Sequence, residues 1–495
     1  MLKRFDLHFG SHDIAGRNLL RLLGIVLLHV PLLLTFSAKD CSAQDVPSLT
    51  DVQRKAMDSI SEISVRSRLF FLASDALEGR GTPSRGFDIA CDYVATQFAA
   101  AGLEGLGEDG GYFQTATVPA VQTPTDGIVV RRANGGPLDL LGLLCGGEDH
   151  LTYSGKLQTV KFDAGFEDQT FAGPVFIDTL PDESQPRFRQ LSQIARLANQ
   201  LKSRGATAMI VQCAADSQLV LSARDASRPA LENRQSRISL PVILIETGSS
   251  QKIDFSVEEF ELVVPPQIRA DVAVRNTIGL LRGSDPELAN EAIIVTAHLD
   301  HLGIGGTGDD RIFNGADDNA TGCTAVLMLA DAFASLPEPP KRSMIFMTFW
   351  GEERGLMGSK YFVENPLWPL DKIVANINIE MVGRPEPGAQ RKSWMTGWDQ
   401  SDLGTLMALG SIRADIEIFQ HPRFSAMLYR ASDNFSFVQK GVIAHSFSAG
   451  SLHSDYHQPS DEVALIETDH MTDVIKGLFA GTLLIADGHV TPKKN

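Results

Sequence analysis

The sequence predicts an α/β fold: a mostly parallel central sheet flanked by helices, with an inserted smaller β-rich domain. Two observations support this prediction. From about residue 269 onward, strand-like apolar runs alternate with helical stretches, an order that is typical of a parallel sheet covered on both faces. Between about 126 and 266, short apolar runs alternate with turns instead. A chain of 495 residues is also too long for one ordinary domain.

The first 43 residues are typical of a secretory signal peptide. Basic residues precede a short apolar run at 22–36, and small residues follow it. We therefore expect an exported protein, periplasmic or extracellular. The run is short for a membrane-spanning helix, and an uncleaved N-terminal anchor is the alternative. That anchor would be the protein's only association with a membrane.

Residues 46–125 are predicted to form the N-terminal part of the main domain. Residues 51–73 have helical periodicity, 74–86 form a Gly-rich loop, and 87–103 form a second helix that Gly102 suits as a C-terminal cap. The inserted domain is predicted at 126–268, with buried strands at 173–179, 208–214 and 241–246 and a helix at 187–206. It shows no cluster of residues with metal-ligand spacing.

The main part of the larger domain is predicted at 269–488. Its strands are expected at 291–298, 343–350, 372–380 and 442–448, and its helices at 320–336 and 355–365. Five cysteines occur without a C-x-x-C pair, so we expect mostly buried free thiols rather than a disulfide scaffold, with one disulfide as the alternative. The net charge of −17 gives a nucleic-acid role no electrostatic support.

Candidate functional residues follow the ends of these strands. Ligands of open α/β sheets bind outside the carboxyl ends of the strands, so one crevice would receive all of these side chains. An acidic pair that includes Asp318 precedes the next helix. The candidates at or after strand ends are His298, Asp300, Glu352, Glu353, Glu380 and His457.

So many carboxylates in one crevice require a counter-charge, which two divalent cations would supply. Mixed histidine and carboxylate ligands without thiolates suit catalytic zinc. A carboxylate can bridge two ions roughly 3.5–4 Å apart, and such a pair can lower the pKa of a bound water and polarise a carbonyl. A carboxylate that is free of the metals would act as a general base.

Five segments together resemble the co-catalytic zinc aminopeptidases related to bacterial leucyl aminopeptidases and to glutamate carboxypeptidase. The segments are TAHLDHLGIG, FNGADDNATG, FWGEERGLMGS, NINIEMVGR and SDYHQPSD, and the resemblance covers about 269–484 and extends to 72–98. The inserted segment resembles a protease-associated domain. The resemblance implies a two-zinc peptidase that removes N-terminal residues from peptides.

The resemblance also implies a role for each matching residue. His298 and Glu380 would bind one zinc, Glu353 and His457 the other, and Asp318 would bridge both. Glu352 would be the general base, and the Asp300 carboxylate would orient the His298 imidazole. Two positions depart from the family: Glu380 stands where many relatives carry Asp, and Asn434 where relatives often carry His.

Three other functions remain open at this stage. A zinc carboxypeptidase acting on acidic peptides would need fixed cations, and Arg354, Arg384 and Arg430 lie near the motifs. A glutaminyl cyclase has a similar fold and uses one zinc. A non-catalytic protein could bind a partner through the inserted domain, although the general-base candidate Glu352 argues against that interpretation.

Overall fold

The structure, a computed structural model, describes residues 46–161, 169–178, 187–231, 238, 240–247, 253–255, 257–305 and 309–495. The predicted signal peptide lies outside these residues. Within them, no helix combines the length and the apolar character needed to cross a membrane.

Eleven α-helices and twenty strands lie within the described residues. The helices are α1 (Asp51–Asp58), α2 (Glu62–Leu72), α3 (Arg85–Ala100), α4 (Arg187–Ser203), α5 (Gln218–Ala226), α6 (Gly322–Ala334), α7 (Met357–Glu364), α8 (Leu403–Ser411), α9 (Phe424–Met427), α10 (Asn434–Gln439) and α11 (Thr468–Ala486). The strands are β1 (Glu104–Gly105), β2 (Phe113–Gln122), β3 (Val129–Arg132), β4 (Leu140–Cys145), β5 (Leu151–Lys156), β6 (Gln158–Val160), β7 (Val175–Ile177), β8 (Met209–Cys213), β9 (Ala230–Leu231), β10 (Val242–Glu246), β11 (Glu259–Val264), β12 (Ile268–Leu281), β13 (Ala292–His298), β14 (Gly303–Ile304), β15 (Ile312–Phe313), β16 (Ser343–Phe349), β17 (Ile373–Ile379), β18 (Lys392–Met395), β19 (Glu417–Phe419) and β20 (Ala444–Ser448).

A ten-stranded sheet forms the centre of the molecule. Its strand order is β19-β18-β20-β17-β13-β16-β12-β2-β9, and β1 pairs with β12. The four adjacent strands β20, β17, β13 and β16 are parallel, whereas β12, β2 and β9 add antiparallel pairs at one side. The predicted α/β class with parallel central strands is therefore confirmed, and its parallel strands are the ones the sequence identified.

The central strands are buried on both faces. Every residue of β13 and β16 is buried, which explains their nearly continuous apolar sequence. Alternate residues of β13 enter different cores: Ile293 and Val295 belong to one hydrophobic cluster, and Ile294 belongs to another. The first cluster includes residues of α3, α6 and α11, and the second includes Phe362 of α7 and Phe437 of α10.

The N-terminal helices pack into the first of these cores. The stretch at 51–73, predicted as one helix, is two helices, because Ser61 interrupts it and caps α2 by accepting a hydrogen bond from the Ser64 N–H. Helix α3 ends as predicted, with Gly102 just past it at a φ of 81°. The Gly-rich segment between α2 and α3 contains a short 3₁₀ helix at Asp75–Arg80.

Residues between Val129 and Val264 build two further sheets. One has the order β4-β10-β8-β7-β6 and is covered by α4 and α5; the other is the antiparallel sheet β3-β11-β5. Apolar residues of both sheets pack together in a separate core. The strands expected at 173–179, 208–214 and 241–246 are present as β7, β8 and β10. Strand β9 returns to pair with β2 of the central sheet.

Four cysteines lie within the described residues, and all four are buried: Cys91, Cys145, Cys213 and Cys323. This confirms the predicted buried thiols for these positions. Cys41 lies outside the described residues.

Candidate metal centre

The predicted residues converge at the carboxyl edge of the central strands. His298 is the last residue of β13, Glu380 follows β17 directly, and Glu352 and Glu353 follow β16 after a two-residue turn. Because β16, β13 and β17 are parallel neighbours, their ends meet at one edge. The loops before α6 and after β20 bring Asp318 and His457 to the same place.

One group of donor atoms surrounds the His298 ring. The His298 Nε2 atom lies 3.2 Å from Asp318 Oδ1 and 3.5 Å from Glu380 Oε1. All three side chains are largely buried, with Glu380 the most exposed at 21%. These are the three residues that the resemblance assigns to one zinc.

A second group surrounds the His457 ring. The His457 Nε2 atom lies 3.1 Å from Asp318 Oδ2 and 3.3 Å from Glu353 Oε2. The two oxygens of Asp318 therefore face different histidines, one in each group. This is the arrangement that a bridging carboxylate between two ions requires.

His301 joins the second group, although the sequence interpretation gave it no role. Its side chain is fully buried, and its Nδ1 atom lies 2.8 Å from Glu353 Oε1 and 3.9 Å from Asp318 Oδ2. Ligand atoms of His301, Asp318 and Glu353 are close enough together to hold one metal ion. His457 lies beside the other Glu353 oxygen, Oε2. His301 can therefore act as a further metal ligand or hold Glu353 Oε1 in position.

Asp300 contacts His298 differently from the expectation. Strand β13 ends at His298, so Asp300 lies beyond the strand, and its main-chain oxygen, not its carboxylate, lies 3.0 Å from His298 Nδ1. The carboxylate oxygen Oδ1 is 3.9 Å from Nδ1 and accepts a hydrogen bond of 3.0 Å from the Glu352 N–H. The main chain of Asp300 thus positions the His298 ring, and its side chain positions the turn that carries Glu352.

The loop that carries Asp318 is held by Asp461. Both Asp461 oxygens accept from the Asp317 N–H, at 3.0 and 3.1 Å, and Oδ2 also accepts from the Asp318 N–H at 3.0 Å. On the other side, the buried Arg80 guanidinium donates to the main-chain oxygens of Leu72, Leu299, Asn314 and Gly315. Arg80 therefore links the N-terminal segment to the loops beside His298 and Asp318.

A chain of hydrogen bonds within the sheet reaches Glu380. The Ser432 hydroxyl donates to Glu380 Oε1, and Asn378 Nδ2 donates to the Ser432 oxygen at 2.9 Å. Thr296 in turn donates to Asn378 Oδ1 at 2.8 Å. The longer arm of Glu380, relative to the usual Asp, is thus fixed by a serine that the sequence interpretation did not single out.

The ionisation of the site shows an excess of negative charge. Burial acts to lower the pKa of His457, but Asp318 and Glu353 outweigh it and raise that pKa to about 10. Burial and the neighbouring carboxylates raise the pKa of Glu380 to about 7, although His298 opposes them. Burial likewise holds the pKa of Glu352 well above its usual range. Carboxyl pKa values raised by burial, beside a histidine whose pKa is raised by its carboxylate neighbours, indicate a site that is short of positive charge.

The donor atoms of His301, Asp318 and Glu353 fit a divalent cation. The Nε2 atoms of His301 and His457 are buried and have no hydrogen-bond partner among the described residues, although oxygens of Asp318 and Glu353 lie close to the His457 atom. Neutral imidazoles and ionised carboxylates are the forms that bind zinc, and cations would favour both. His298, Asp318 and Glu380 would hold one ion, and Asp318, Glu353 and His457 the other.

Two cavities flank these residues. The first has a volume of about 80 Å³ and contacts His298, Asp318, Glu352 and Glu380; apolar side chains that include Trp394, Leu428 and Leu452 complete its wall. The second, of about 650 Å³, lies beside Arg354 and is bounded by the segments 78–85, 225–230 and 302–305. The turn at 352–354 separates them, because Glu352 lines the first cavity and Arg354 the second.

Several residues of the site were not predicted from the sequence. His301 stands three residues after His298 within the same motif, so its position was a usable clue. Tyr456 precedes His457, lines the first cavity and stacks on the His457 ring at a centroid distance of 3.9 Å. Asp433 is fully buried, and burial raises its pKa to about 7. Neither Ser432 nor Asp433 lies in a segment with ligand spacing, so only the fold reveals them.

Comparisons with known proteins find similar peptidases. Leupeptin-inactivating enzyme 1 of Streptomyces exfoliatus is 35% identical over 114 residues, which are 23% of this chain and 24% of that protein. Aminopeptidase YwaD of Bacillus subtilis is 23% identical over 264 residues, or 52% and 53% of the two chains. This chain thus spans about a quarter to a half of the length of these curated relatives.

Solved structures share the fold. The structure of BSAP, a zinc aminopeptidase from Bacillus subtilis, superposes with a TM-score of 0.54 at 16% identity and covers 87% of this chain and 96% of its own. The model of the family described as "Peptidase family M28" matches residues 276–480, which include every predicted metal ligand. The resemblance to co-catalytic zinc peptidases is confirmed by this family match, which covers residues 276–480 of the chain.

Proposed function

We propose that this protein is an exported zinc aminopeptidase that uses two zinc ions to remove the N-terminal residue of peptides. The observation that supports the proposal most directly is the Asp318 carboxylate, whose two oxygens face His298 and His457 in separate donor groups. The family match and the aminopeptidase relatives support a metallo-exopeptidase. The signal-like leader supports export and, as proposed, is removed at about residue 43.

The chemistry follows from the carboxylates that remain beside the ligands. Two zinc ions, when bound, supply the positive charge that polarises the peptide carbonyl and activates water. Glu352 takes a proton from the attacking water and passes it to the leaving amine. Its main chain is held by Asp300, and its side chain lines the small cavity beside His298. Tyr456, which stacks on the His457 ring, also lines this cavity.

The charges of the small cavity favour an N-terminal over a C-terminal residue. Apart from His298, its charged lining residues are the carboxylates Asp318, Glu352 and Glu380. Once Asp318 and Glu380 hold zinc, Glu352 remains as the free carboxylate of this cavity, and it attracts an α-ammonium group and repels an α-carboxylate. Trp394, Leu428 and Leu452 line the remaining wall, so we propose that the terminal side chain is uncharged and apolar.

The segment 126–268 is proposed to be an inserted protease-associated domain, with 46–125 and 269–488 forming the peptidase domain. Its two sheets have a core that is separate from the core around the metal ligands. The segment contributes none of the proposed ligands. A purely non-catalytic binding role is disfavoured because Glu352 remains beside a complete ligand set.

A panel of substrates tests the function. The purified zinc-loaded protein should hydrolyse Leu-Ala and Leu-p-nitroanilide, and should be inactive on N-acetyl-Leu-Ala. Cleavage of the N-acetylated peptide would instead identify a carboxypeptidase. Cyclisation of an N-terminal glutamine peptide, without hydrolysis of the others, would identify a glutaminyl cyclase, and no reaction with any member would support the binding-protein alternative.

A further inference from the structure

The larger cavity is lined by none of the proposed metal ligands, but it borders the segments that carry them. Its wall includes Arg354, the residue that follows Glu353, and Leu302, which follows His301. In an exopeptidase, the terminal residue occupies one side of the reacting bond and the rest of the peptide occupies the other. A volume of about 650 Å³ is sufficient for a short peptide segment, whereas about 80 Å³ suits a single side chain.

Arginine side chains give the large cavity a positive wall. Arg85, Arg228 and Arg354 line it, together with the acidic residues Glu78 and Asp225. Within the described part of the chain, neither Arg85 nor Arg354 has an acidic partner within ion-pair distance.

The acidic residues of this cavity are largely compensated. Asp225 Oδ1 lies 3.7 Å from Arg228 Nη1 and 3.7 Å from Arg311 Nη2, so two guanidinium groups share its charge. Arg228 is held in place by a hydrogen bond of 2.7 Å that Nη1 donates to the Ile304 main-chain oxygen. Glu78 is the remaining carboxylate, against the two unpaired arginines.

We propose that this cavity binds a carboxylate on the leaving part of the substrate, with Arg354 as its principal partner, so that the enzyme prefers short peptides with a free C-terminus. The proposal rests on the proposed peptidase function. Guanidinium groups bind carboxylates through paired charge-assisted hydrogen bonds. The segment 225–230 closes one side of the cavity, which leaves less room for a long peptide. The alternative source of this carboxylate is the side chain of the second substrate residue, which would also face the arginine-lined wall of the cavity.

Three peptides identify the source of the carboxylate. For the zinc-loaded enzyme, kcat/KM should be at least about tenfold higher for Leu-Ala than for Leu-Ala-amide, because a hydrogen bond to a charged group contributes enough for a factor of this order. Leu-Glu-amide should remain near Leu-Ala-amide if the C-terminal carboxylate is recognised. A rate on Leu-Glu-amide that equals the rate on Leu-Ala would assign the site to an acidic side chain instead and overturn the preference for a free C-terminus.

Substitution of Arg354 tests the residue. In R354Q, the ratio of kcat/KM for Leu-Ala to that for Leu-Ala-amide should fall toward one. R430Q is the matched control, because Arg430 is also near the motifs but lines a different cavity, and its ratio should stay at the wild-type value. An unchanged ratio in R354Q would overturn the assignment to Arg354.

A binding measurement separates this proposal from the proposed function. With E352Q as the background, in which turnover should be reduced roughly 10²–10⁴-fold, the dissociation constants of Leu-Ala and Leu-Ala-amide can be measured by calorimetry. Leu-Ala should bind about tenfold more tightly, and E352Q/R354Q should lose the difference. Equal affinities, with wild-type enzyme hydrolysing both peptides, would refute the carboxylate site and leave the peptidase intact. If the wild type hydrolyses neither peptide, the peptidase proposal itself fails.

Discussion

Glu352 and Glu353 are adjacent carboxylates that the fold turns toward different partners. Both oxygens of Glu353 lie beside histidines, His301 and His457, whereas Glu352 lines the small cavity. Residue type could identify two acids at a strand end, but it could not distinguish their tasks; the family resemblance supplied that distinction. His301 and Ser432 were missed because their contacts depend on loops whose positions the sequence pattern does not determine.

Substituting each glutamate in turn tests their separate roles. E352Q should bind both zinc ions and fold normally, with kcat reduced roughly 10²–10⁴-fold and KM changed much less. E353Q should lose metal as well as activity, because it removes an ionised ligand. Metal analysis and steady-state kinetics of the two variants measure this. Zinc loss in E352Q with full occupancy in E353Q would reverse the assignment, and wild-type turnover in E352Q would contradict the mechanism.

The unusual Glu380 provides a second test at this scale. E380D should keep zinc and substantial activity, because a carboxylate remains, although it moves away from the Ser432 hydroxyl. E380A should lose the zinc ion of the His298 group, since His298 and Asp318 alone remain there. Zinc content per chain decides the matter. Full occupancy in E380A would show that Glu380 is not a ligand.

At the scale of the elements, periodicity predicted the central strands well. Long apolar runs such as β13 and β16 are buried on both faces, and burial of that kind leaves a continuous pattern in the sequence. The break between α1 and α2 was missed because Ser61 and Ser64 are also compatible with a continuous helix. The loop before α6 depends on a contact that sequence periodicity does not predict. Asp461, which is distant in sequence, accepts hydrogen bonds from the Asp317 and Asp318 N–H groups of this loop.

Removing Asp461 should weaken this loop measurably. D461A leaves the buried Asp317 and Asp318 N–H groups without their acceptor, which should lower the free energy of unfolding by about 1–3 kcal/mol. Because the same bonds place Asp318, zinc affinity should fall as well. Urea unfolding of metal-free protein measures the first effect, with the exposed D371A as the control, expected within about 0.5 kcal/mol of wild type. Equal stability of D461A and wild type would contradict the role of Asp461.

At the scale of the whole molecule, the inserted segment leaves and rejoins the central sheet at neighbouring positions. Gln122, at the end of β2, is paired with Ile268, at the start of β12. The change in the pattern of strands and helices predicted both boundaries of the inserted segment, near residues 126 and 268. It did not predict that the segment 225–230 would border the larger cavity. That contact arises from packing between distant parts of the chain, which leaves no local pattern.

Deleting residues 126–266 tests the independence of the peptidase domain. Because the deletion ends lie beside paired strands, a short linker should join them, and both zinc ions should remain bound since no proposed ligand is removed. Substrate preference should change, because Arg228 and one wall of the larger cavity are lost. Metal analysis of the folded variant and its rates on Leu-Ala and Leu-Ala-amide check both points. Loss of a zinc ion from the folded variant would contradict the prediction.

Activity is proposed to require two zinc ions. Their proposed ligands are His298, Asp318, Glu353, Glu380 and His457. The most direct test is zinc content per purified chain, measured together with peptidase activity before and after chelation. About two zinc ions per chain are expected, with activity that is lost as the ions are removed and recovered when zinc is returned. A chain that contains no zinc-type metal and retains full activity in the presence of a chelator would contradict it.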